Sequence, residues 1–245
     1  DNTEFNLNGI NPNEFPNLDL DETKEPIIIN NGVFKDIINQ TVFATSQSET
    51  RPLLTGINFR INKGELDVIA TDSYRLARKL VAIDKSDETD INIVIPGKNL
   101  LELTKMLDND EQSLELHLFS NKVLFKYGNI VFLSRLLSGT YPTTSDIIPK
   151  DFNILLECSF NDLYNMIDRA SLLTSDREKN TIKLSLNGNE LMISSNSPEI
   201  GKVEEKISVI SDKKIDISFS SKFMLDAIKS FNKEKITLCM NNDSS

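Results

Sequence analysis

The sequence predicts an α+β protein made of tandem copies of a duplicated β-α-β-β-β domain, with helices on one side and antiparallel sheets on the other. Two observations carry most of that reading. The first is long-range self-similarity. Ile91-Asn-Ile-Val-Ile-Pro-Gly-Lys-Asn-Leu-Leu-Glu-Leu-Thr-Lys-Met-Leu107 returns as Ile215-Asp-Ile-Ser-Phe-Ser-Ser-Lys-Phe-Met-Leu-Asp-Ala-Ile-Lys-Ser-Phe231, an offset of 124 residues from Ile91 to Ile215. Gly64–Thr71 returns as Asn189–Asn196, and Phe34–Asn39 as Phe160–Asn165, at offsets of 125 and 126. A period this long is a domain repeat rather than a solenoid unit. The second observation is that each copy is twofold within itself: a short strand, an amphipathic helix and three strands, and then the same order again.

The elements follow from the patterning. Ile27–Asn30 reads as a short strand. Gly32 to about Thr45 reads as a helix with Phe34, Ile37, Ile38 and Val42 on one face. Strands are predicted near Leu53–Ile61, Glu65–Thr71 and Ala77–Ile83, the first two joined by the turn Asn62-Lys63-Gly64. In the second half, Asp90–Ile95 is a strand and Pro96-Gly97 opens a helix carrying Leu100, Leu103 and Leu107. Strands near Ser113–Phe119, Lys122–Tyr127 and Ile130–Leu136 complete it. Short hairpins make the strands antiparallel neighbours, which fixes the α+β class.

The same offsets set the expected domain limits. Phe15-Pro16 precedes Phe34 by 19 residues, as Tyr141-Pro142 precedes Phe160. Residues 1–25 are therefore expected to be the tail of a preceding copy, 26–138 and 151–245 successive domains, and 139–150 a connector. Ile236–Met240 matches the strand Leu114–Leu118, so the last domain is expected to lack its final strands. The junction holds Leu136, Leu137, Tyr141, Ile147 and Ile148, more apolar surface than a free linker needs.

Composition narrows the function. In 245 residues, 39% are hydrophobic and 26% charged, which suits a packed globular protein and not a disordered one. No apolar run approaches the roughly 18 residues a membrane-spanning helix needs. The net charge of −10 argues against tight electrostatic binding of nucleic acid. Cys158 and Cys239 are isolated and read as packing residues. No nucleotide loop, zincin or nucleophile-elbow motif occurs, and no cofactor or metal is expected. The lone His117 lies in Leu114-Glu-Leu-His-Leu118, where alternation places it on a solvated face beside Glu115. Asp108-Asn-Asp-Glu111 lacks the glycine and spacing of a calcium loop and reads as a surface turn. Ser73 has no evident base, so a hydrolase reading is weak.

Two features stand out. In Thr71-Asp-Ser-Tyr-Arg-Leu-Ala77, residues able to bond a tight turn precede an aromatic, a cationic and an apolar side chain. Lys98 and Lys105 lie on one helix face, and Lys222 and Lys229 recur at the equivalent positions 124 residues later, with Glu102 and Asp226 between them. Two readings of the lysines stand: a solvated face with i,i+4 ion pairs, or a recurring face aimed at one polyanion.

Ala70-Thr-Asp-Ser-Tyr-Arg-Leu-Ala77 resembles the hallmark of the bacterial DNA sliding clamp family, the β subunits of DNA polymerase III. Thr50-Arg-Pro-Leu-Leu-Thr-Gly56, Ile95-Pro-Gly-Lys98, Ser134-Arg-Leu-Leu-Ser-Gly-Thr-Tyr-Pro142 and Ser197-Pro-Glu-Ile-Gly201 resemble the same family in the same order. The resemblance implies the DNA clamp fold, three domains per chain and a homodimeric ring around double-stranded DNA, with no catalysis of its own. This chain would be the second domain and most of the third. Such a ring holds DNA weakly, by topology, which accommodates the acidic net charge. Lys98, Lys105, Lys222, Lys229 and Arg51 would face the DNA.

The family's partners are the replicative polymerase, the clamp loader, translesion polymerases and mismatch-repair proteins, which dock through a short Leu/Phe-rich motif. Position by position, the resemblance places that pocket at Leu54, Thr71, Ser73, Tyr74, Arg75, Leu76, Pro142 and Ile147, with Ser220 and Phe223 at its edge. Asp146 departs from the family, which commonly has Arg there. The implied setting is the cytoplasm, at the nucleoid. A tandem-domain peptide-binding scaffold that does not encircle DNA is the alternative.

Overall fold

The first half-repeat runs β1 (Ile27–Asn30), α1 (Asn31–Asn39), β2 (Gly56–Asn62), β3 (Glu65–Thr71) and β4 (Leu76–Ala82). The second runs β5 (Ile91–Pro96), α2 (Gly97–Met106), β6 (Ser113–Leu118), β7 (Lys122–Tyr127) and β8 (Ile130–Arg135). The order then recurs as β9 (Ile154–Ser159), α3 (Phe160–Ser171), β10 (Thr181–Asn187), β11 (Glu190–Ser197) and β12 (Gly201–Ser208). It continues with β13 (Lys214–Ser220), α4 (Ser221–Lys229) and β14 (Lys235–Met240). This computed structural model describes residues 3–15, 19–84, 90–108, 110–174, 180–231 and 233–241. Pro16 and Asn109, which belong to expectations above, lie outside them.

The half-repeats do not form a sheet each. β1 pairs with β6, and β5 with β2, giving antiparallel sheets ordered β1-β6-β7-β8 and β4-β3-β2-β5. The second unit repeats the exchange: β13 pairs with β10 in the sheet β12-β11-β10-β13, and β9 with β14. The helices pack as pairs, α1 on α2 and α3 on α4. Each unit has its own core. Phe34 of α1 meets Phe125 of β7 with ring centroids 5.8 Å apart in the first core. Leu163, Met166 and Ile167 of α3 meet β10 and β11 in the second.

Local chemistry explains the element ends. Asn30, Ser159 and Ser220 cap α1, α3 and α4, each side-chain oxygen accepting from a backbone N–H three residues on. Asn62↔Glu65 is the last β2–β3 pair, and the two residues between them, Lys63 and Gly64, have φ of 48° and 78°. Two successive positive φ values are what a tight right-twisted hairpin needs.

Four expectations are corrected. α1 ends at Asn39, not near Thr45, because the Thr41 hydroxyl donates to the Ile37 carbonyl at 2.7 Å and the chain tightens into a 3₁₀ turn at Val42–Ala44. The strand predicted from Leu53 begins at Gly56, because Pro52 opens a 3₁₀ turn through Thr55. His117 is not solvated: it is 1% exposed. Residues 19–23 run as a strap over that face of β6 and β7. The Thr23 N–H donates to His117 Nδ1 at 3.0 Å, Lys126 pairs with Glu22 at 2.7 Å, and Lys122 pairs with Asp19 at 2.8 Å. Alternation alone could not show a cover supplied from 94 residues away. Of the cysteines, Cys158 is buried, and burial pushes its thiol up to about 11, whereas Cys239 is exposed rather than packed.

Among the described glycines, Gly56 is the most closely surrounded. A Cβ there would stand 2.6 Å from Val94 Cγ1, 2.7 Å from Leu137 Cδ1 and 2.9 Å from the Ile95 carbonyl oxygen. Gly56→Ala is expected to cost about 1–3 kcal/mol through overpacking, read as a lowered urea midpoint at unchanged m-value.

Candidate functional site

The connection from β3 to β4 is held by its own side chains. The Thr71 hydroxyl donates to the Arg75 carbonyl at 2.6 Å and accepts from the Ser73 N–H at 3.1 Å. Asp72 Oδ1 accepts from the Tyr74 and Arg75 N–H groups at 2.9 and 3.0 Å. This places Ser73 at a φ of 79°. Short polar side chains that satisfy the backbone locally are the reason Thr71 and Asp72 occur here. The result is a rigid turn that projects Tyr74, 85% exposed, and directs Arg75 sideways.

Behind the turn stands an apolar wall. Leu54, Ile69, Val94 and Tyr141 form a buried cluster, with Leu53, Leu76 and Leu137 packed against it. The connector is drawn onto this wall by the Leu137 N–H, which donates to the Val94 carbonyl at 2.9 Å. It also passes close to Leu53: a Cβ on Gly139, whose φ is +129°, would lie 2.8 Å from Leu53 Cδ1. The Tyr141 hydroxyl then accepts from the Thr71 N–H at 3.1 Å. Burial pushes the Tyr141 phenol up to about 12, against the opposing pull of that hydrogen bond. The phenol therefore stays neutral throughout the physiological range.

Arg75 crosses to the second unit. Its Nη1 donates to Asp226 Oδ2 at 2.7 Å and its Nε to Asp72 Oδ2 at 3.1 Å. Its guanidinium lies 4.3 Å from the Phe223 ring centroid and 5.5 Å from that of Phe43. Tyr74 also approaches Phe223, with ring centroids 6.5 Å apart. The turn therefore sits at the seam between two like units, with an apolar wall on one side and an aromatic side chain of α4 on the other.

The structure brings Leu54, Thr71 and Leu76 together on the wall, and Ser73, Tyr74, Arg75 and Phe223 at the seam. Pro142 and Ile147 lie exposed on the connector beyond Tyr141. Ser220 serves as the cap of α4. Arg51 is placed at the turn, donating from Nη1 to Ser73 Oγ at 2.8 Å. A guanidinium donates and cannot accept a proton, so this partner does not make Ser73 a nucleophile. Lys98, Lys105, Lys222 and Lys229 are all exposed on α2 and α4. The expected i,i+4 pairing is not what forms. Lys105 pairs with Glu102 at i,i+3, 2.8 Å apart, and Asp226 pairs with Arg75.

Sequence reasoning did not assign Tyr141, Asp72, Asp226 or Phe43 to the site. Tyr141 was visible as surplus apolar surface in the connector. The pairing of Arg75 with Asp226 spans 151 residues and left no local signal.

Glu22, Glu115 and His117 bring ligand-type atoms within 4.8 Å of one another. His117 Nδ1 accepts the Thr23 N–H, so the ring proton is on Nε2, directed at Glu115 Oε2 at 3.3 Å. A neutral imidazole ligating through Nε2 would carry its proton on Nδ1, against that N–H. The group is built as a latch for the strap rather than as a metal centre.

Two family models match in tandem. Residues 28–143 match the DNA polymerase III beta subunit, central domain, and residues 145–245 match its C-terminal domain. The chain belongs to the DNA polymerase III beta subunit family. It is 45% identical to the beta sliding clamp of Bacillus subtilis over 229 residues, covering 92% of this chain and 61% of that relative. It is 45% identical to that of Staphylococcus epidermidis over 238 residues, covering 96% and 62%. Among solved structures, the Bacillus subtilis DNA polymerase sliding clamp aligns with a TM-score of 0.92 at 42% identity, over 97% of this chain and 63% of that one. The beta chain of DNA polymerase III from Streptococcus pneumoniae aligns at 0.89 and 34%, over 97% and 63%. The chain thus spans about three fifths of the length of the relatives it matches. The fold of the family is the one described above, with antiparallel sheets and paired helices.

Tyr141→Phe removes the acceptor of a buried N–H. It is expected to cost about 1–3 kcal/mol, whereas Tyr74→Phe, on an exposed ring, changes stability by less than about 0.5 kcal/mol. Chemical denaturation of both variants checks this.

Proposed function

We propose that this chain is part of a DNA sliding clamp, a non-catalytic processivity factor that encircles duplex DNA and tethers partners through the site at the seam. Residues 26–138 and 151–245 act as its second and third domains, joined by 139–150. The observation that carries the reading is the Thr71–Leu76 turn, fixed by its own side chains at the junction of two like units and backed by an apolar wall. That geometry suits a short peptide that buries a Leu or Phe side chain against Leu54 and Leu76, near Tyr74 and Phe223. Pro142, Ile147 and Ser220 complete the rim.

The lysines support the second half of the reading. Lys98 and Lys105 on α2 and Lys222 and Lys229 on α4 recur at equivalent exposed positions on an otherwise acidic protein. A few cations on one face attract phosphate without the tight binding that would impede sliding. Arg51, bonded to Ser73, belongs with the partner site as much as with the DNA face. The partners proposed are the replicative polymerase, the clamp loader, translesion polymerases and mismatch-repair proteins. The setting proposed is the cytoplasm, at the nucleoid, with the full protein as a homodimeric ring.

Topological binding has a decisive test. Full-length protein loaded onto nicked circular DNA is expected to stay bound and to be lost when the circle is cut to a linear molecule. Retention on the linear form points to the scaffold that does not encircle DNA. The partner site is tested by titrating a fluorescent Gln-Leu-x-Leu-Phe peptide. Burying one large apolar side chain is worth about 1.5–3 kcal/mol, so Leu76→Ala in the full-length protein is expected to weaken binding roughly 10- to 100-fold. Wild-type affinity in that variant places the peptide elsewhere.

A further inference from the structure

The two repeat-equivalent carboxylates between the lysines have different partners. Glu102 of α2, four residues after Lys98 and three before Lys105, pairs with Lys105 at 2.8 Å. Asp226 of α4, four after Lys222 and three before Lys229, pairs across the seam with Arg75 at 2.7 Å. Spacings of three and four put groups on one helix face within reach of each other. Asp226 is therefore placed to neutralise the lysines of its own helix, as Glu102 does, and Arg75 holds it away. Lys222 and Lys229 remain exposed, Lys229 with its ammonium 5.5 Å from the Tyr164 ring centroid.

The pair is more consequential than a surface contact. The side chains of Arg75 and Asp226 are 16% and 33% exposed, and the guanidinium is also seated on the Phe223 face at 4.3 Å. Partial burial lowers the local dielectric, so the choice of partner for Asp226 carries weight. The same Arg75 belongs to the turn proposed to receive partner peptides.

We propose that Arg75 and Asp226 couple the partner site to the DNA-facing helix α4, so that peptide docking and duplex binding oppose one another. This rests on the sliding-clamp reading above. A peptide docked on the turn presents main-chain carbonyls or a carboxylate to the guanidinium, in competition with Asp226 for Nη1. Asp226, once displaced, pairs with Lys222 or Lys229, and the helix offers less positive charge to phosphate. Linkage makes the effect reciprocal: duplex bound at the lysines weakens peptide binding by the same factor. Among the described residues α2 offers no equivalent route, because Glu102 is already paired with Lys105 of its own helix.

The test uses the full-length protein at low salt, a labelled Gln-Leu-x-Leu-Phe peptide and a short blunt DNA duplex. Peptide affinity is measured without duplex and with saturating duplex, for wild type, Asp226→Asn and Asp226→Glu. In wild type the duplex is expected to weaken the peptide ~2- to 5-fold, the weight of one partly exposed ion pair. Asp226→Asn is expected to abolish the difference, and Asp226→Glu, which keeps the carboxylate, to retain it. Equal peptide affinity with and without duplex in wild type overturns the proposal, as does undiminished coupling in Asp226→Asn. Failure of wild type to bind the peptide alone overturns the partner-site reading, and failure to bind the duplex even at low salt overturns the duplex-binding role of α4 that the proposal needs; both are seen before any ratio is formed.

Discussion

Each unit depends on an exchange of strands. The first strand of each half-repeat hydrogen-bonds into the sheet of the other half, so neither half can complete its sheet alone. The exchange brings the two helices of a unit side by side and sets the core between helix pair and sheets. It also delivers β5 to the edge of β2, where Val94 forms part of the wall behind the β3–β4 turn. The candidate site is thus a by-product of the exchange: without β5 in that position the connector has no edge to join and Tyr141 loses Val94 from its packing.

Much of this was legible because the chain repeats itself. A strand or helix uncertain in one copy was fixed by its counterpart, and apolar periodicity placed the inner faces. What the repeat could not show was pairing. Hydrophobic alternation in Ile27–Asn30 says that one face is buried but not which neighbour lies alongside, and Ile27 lies opposite Leu116. The same limit explains His117. Its own strand assigned it to the outer face correctly, yet the strap from Thr23 turned that face into an interior.

The candidate site was legible in proportion to how local its chemistry is. The Thr71–Leu76 turn was readable because Thr71 and Asp72 bond the backbone within a few residues, and the family resemblance added its neighbours. Tyr141, Phe43 and Asp226 join the site only through packing and charge across long separations. Arg51 was assigned to the DNA face by the resemblance alone, and the fold adds a contact with Ser73, 22 residues away, that no local pattern signals.

The β1–β6 pairing also constrains how the protein forms. Ile27 and Leu116 are 89 positions apart, so the sheet cannot close until nearly the whole unit is available. Contacts this distant in sequence make folding slow, because the entropy of closing the loop is lost before the pairing rewards it. During synthesis the first half-repeat would leave the ribosome with an unfilled place at one edge of its sheet, next to β2, until β5 follows. Such an open edge invites pairing with a like strand from another chain. Sequence-similar copies in tandem make the wrong partner close at hand, since β13 fills in the second unit the position that β5 fills in the first. Duplication, which makes the repeated unit economical to encode, also supplies a ready misfolded state: a unit closed with its neighbour's strand.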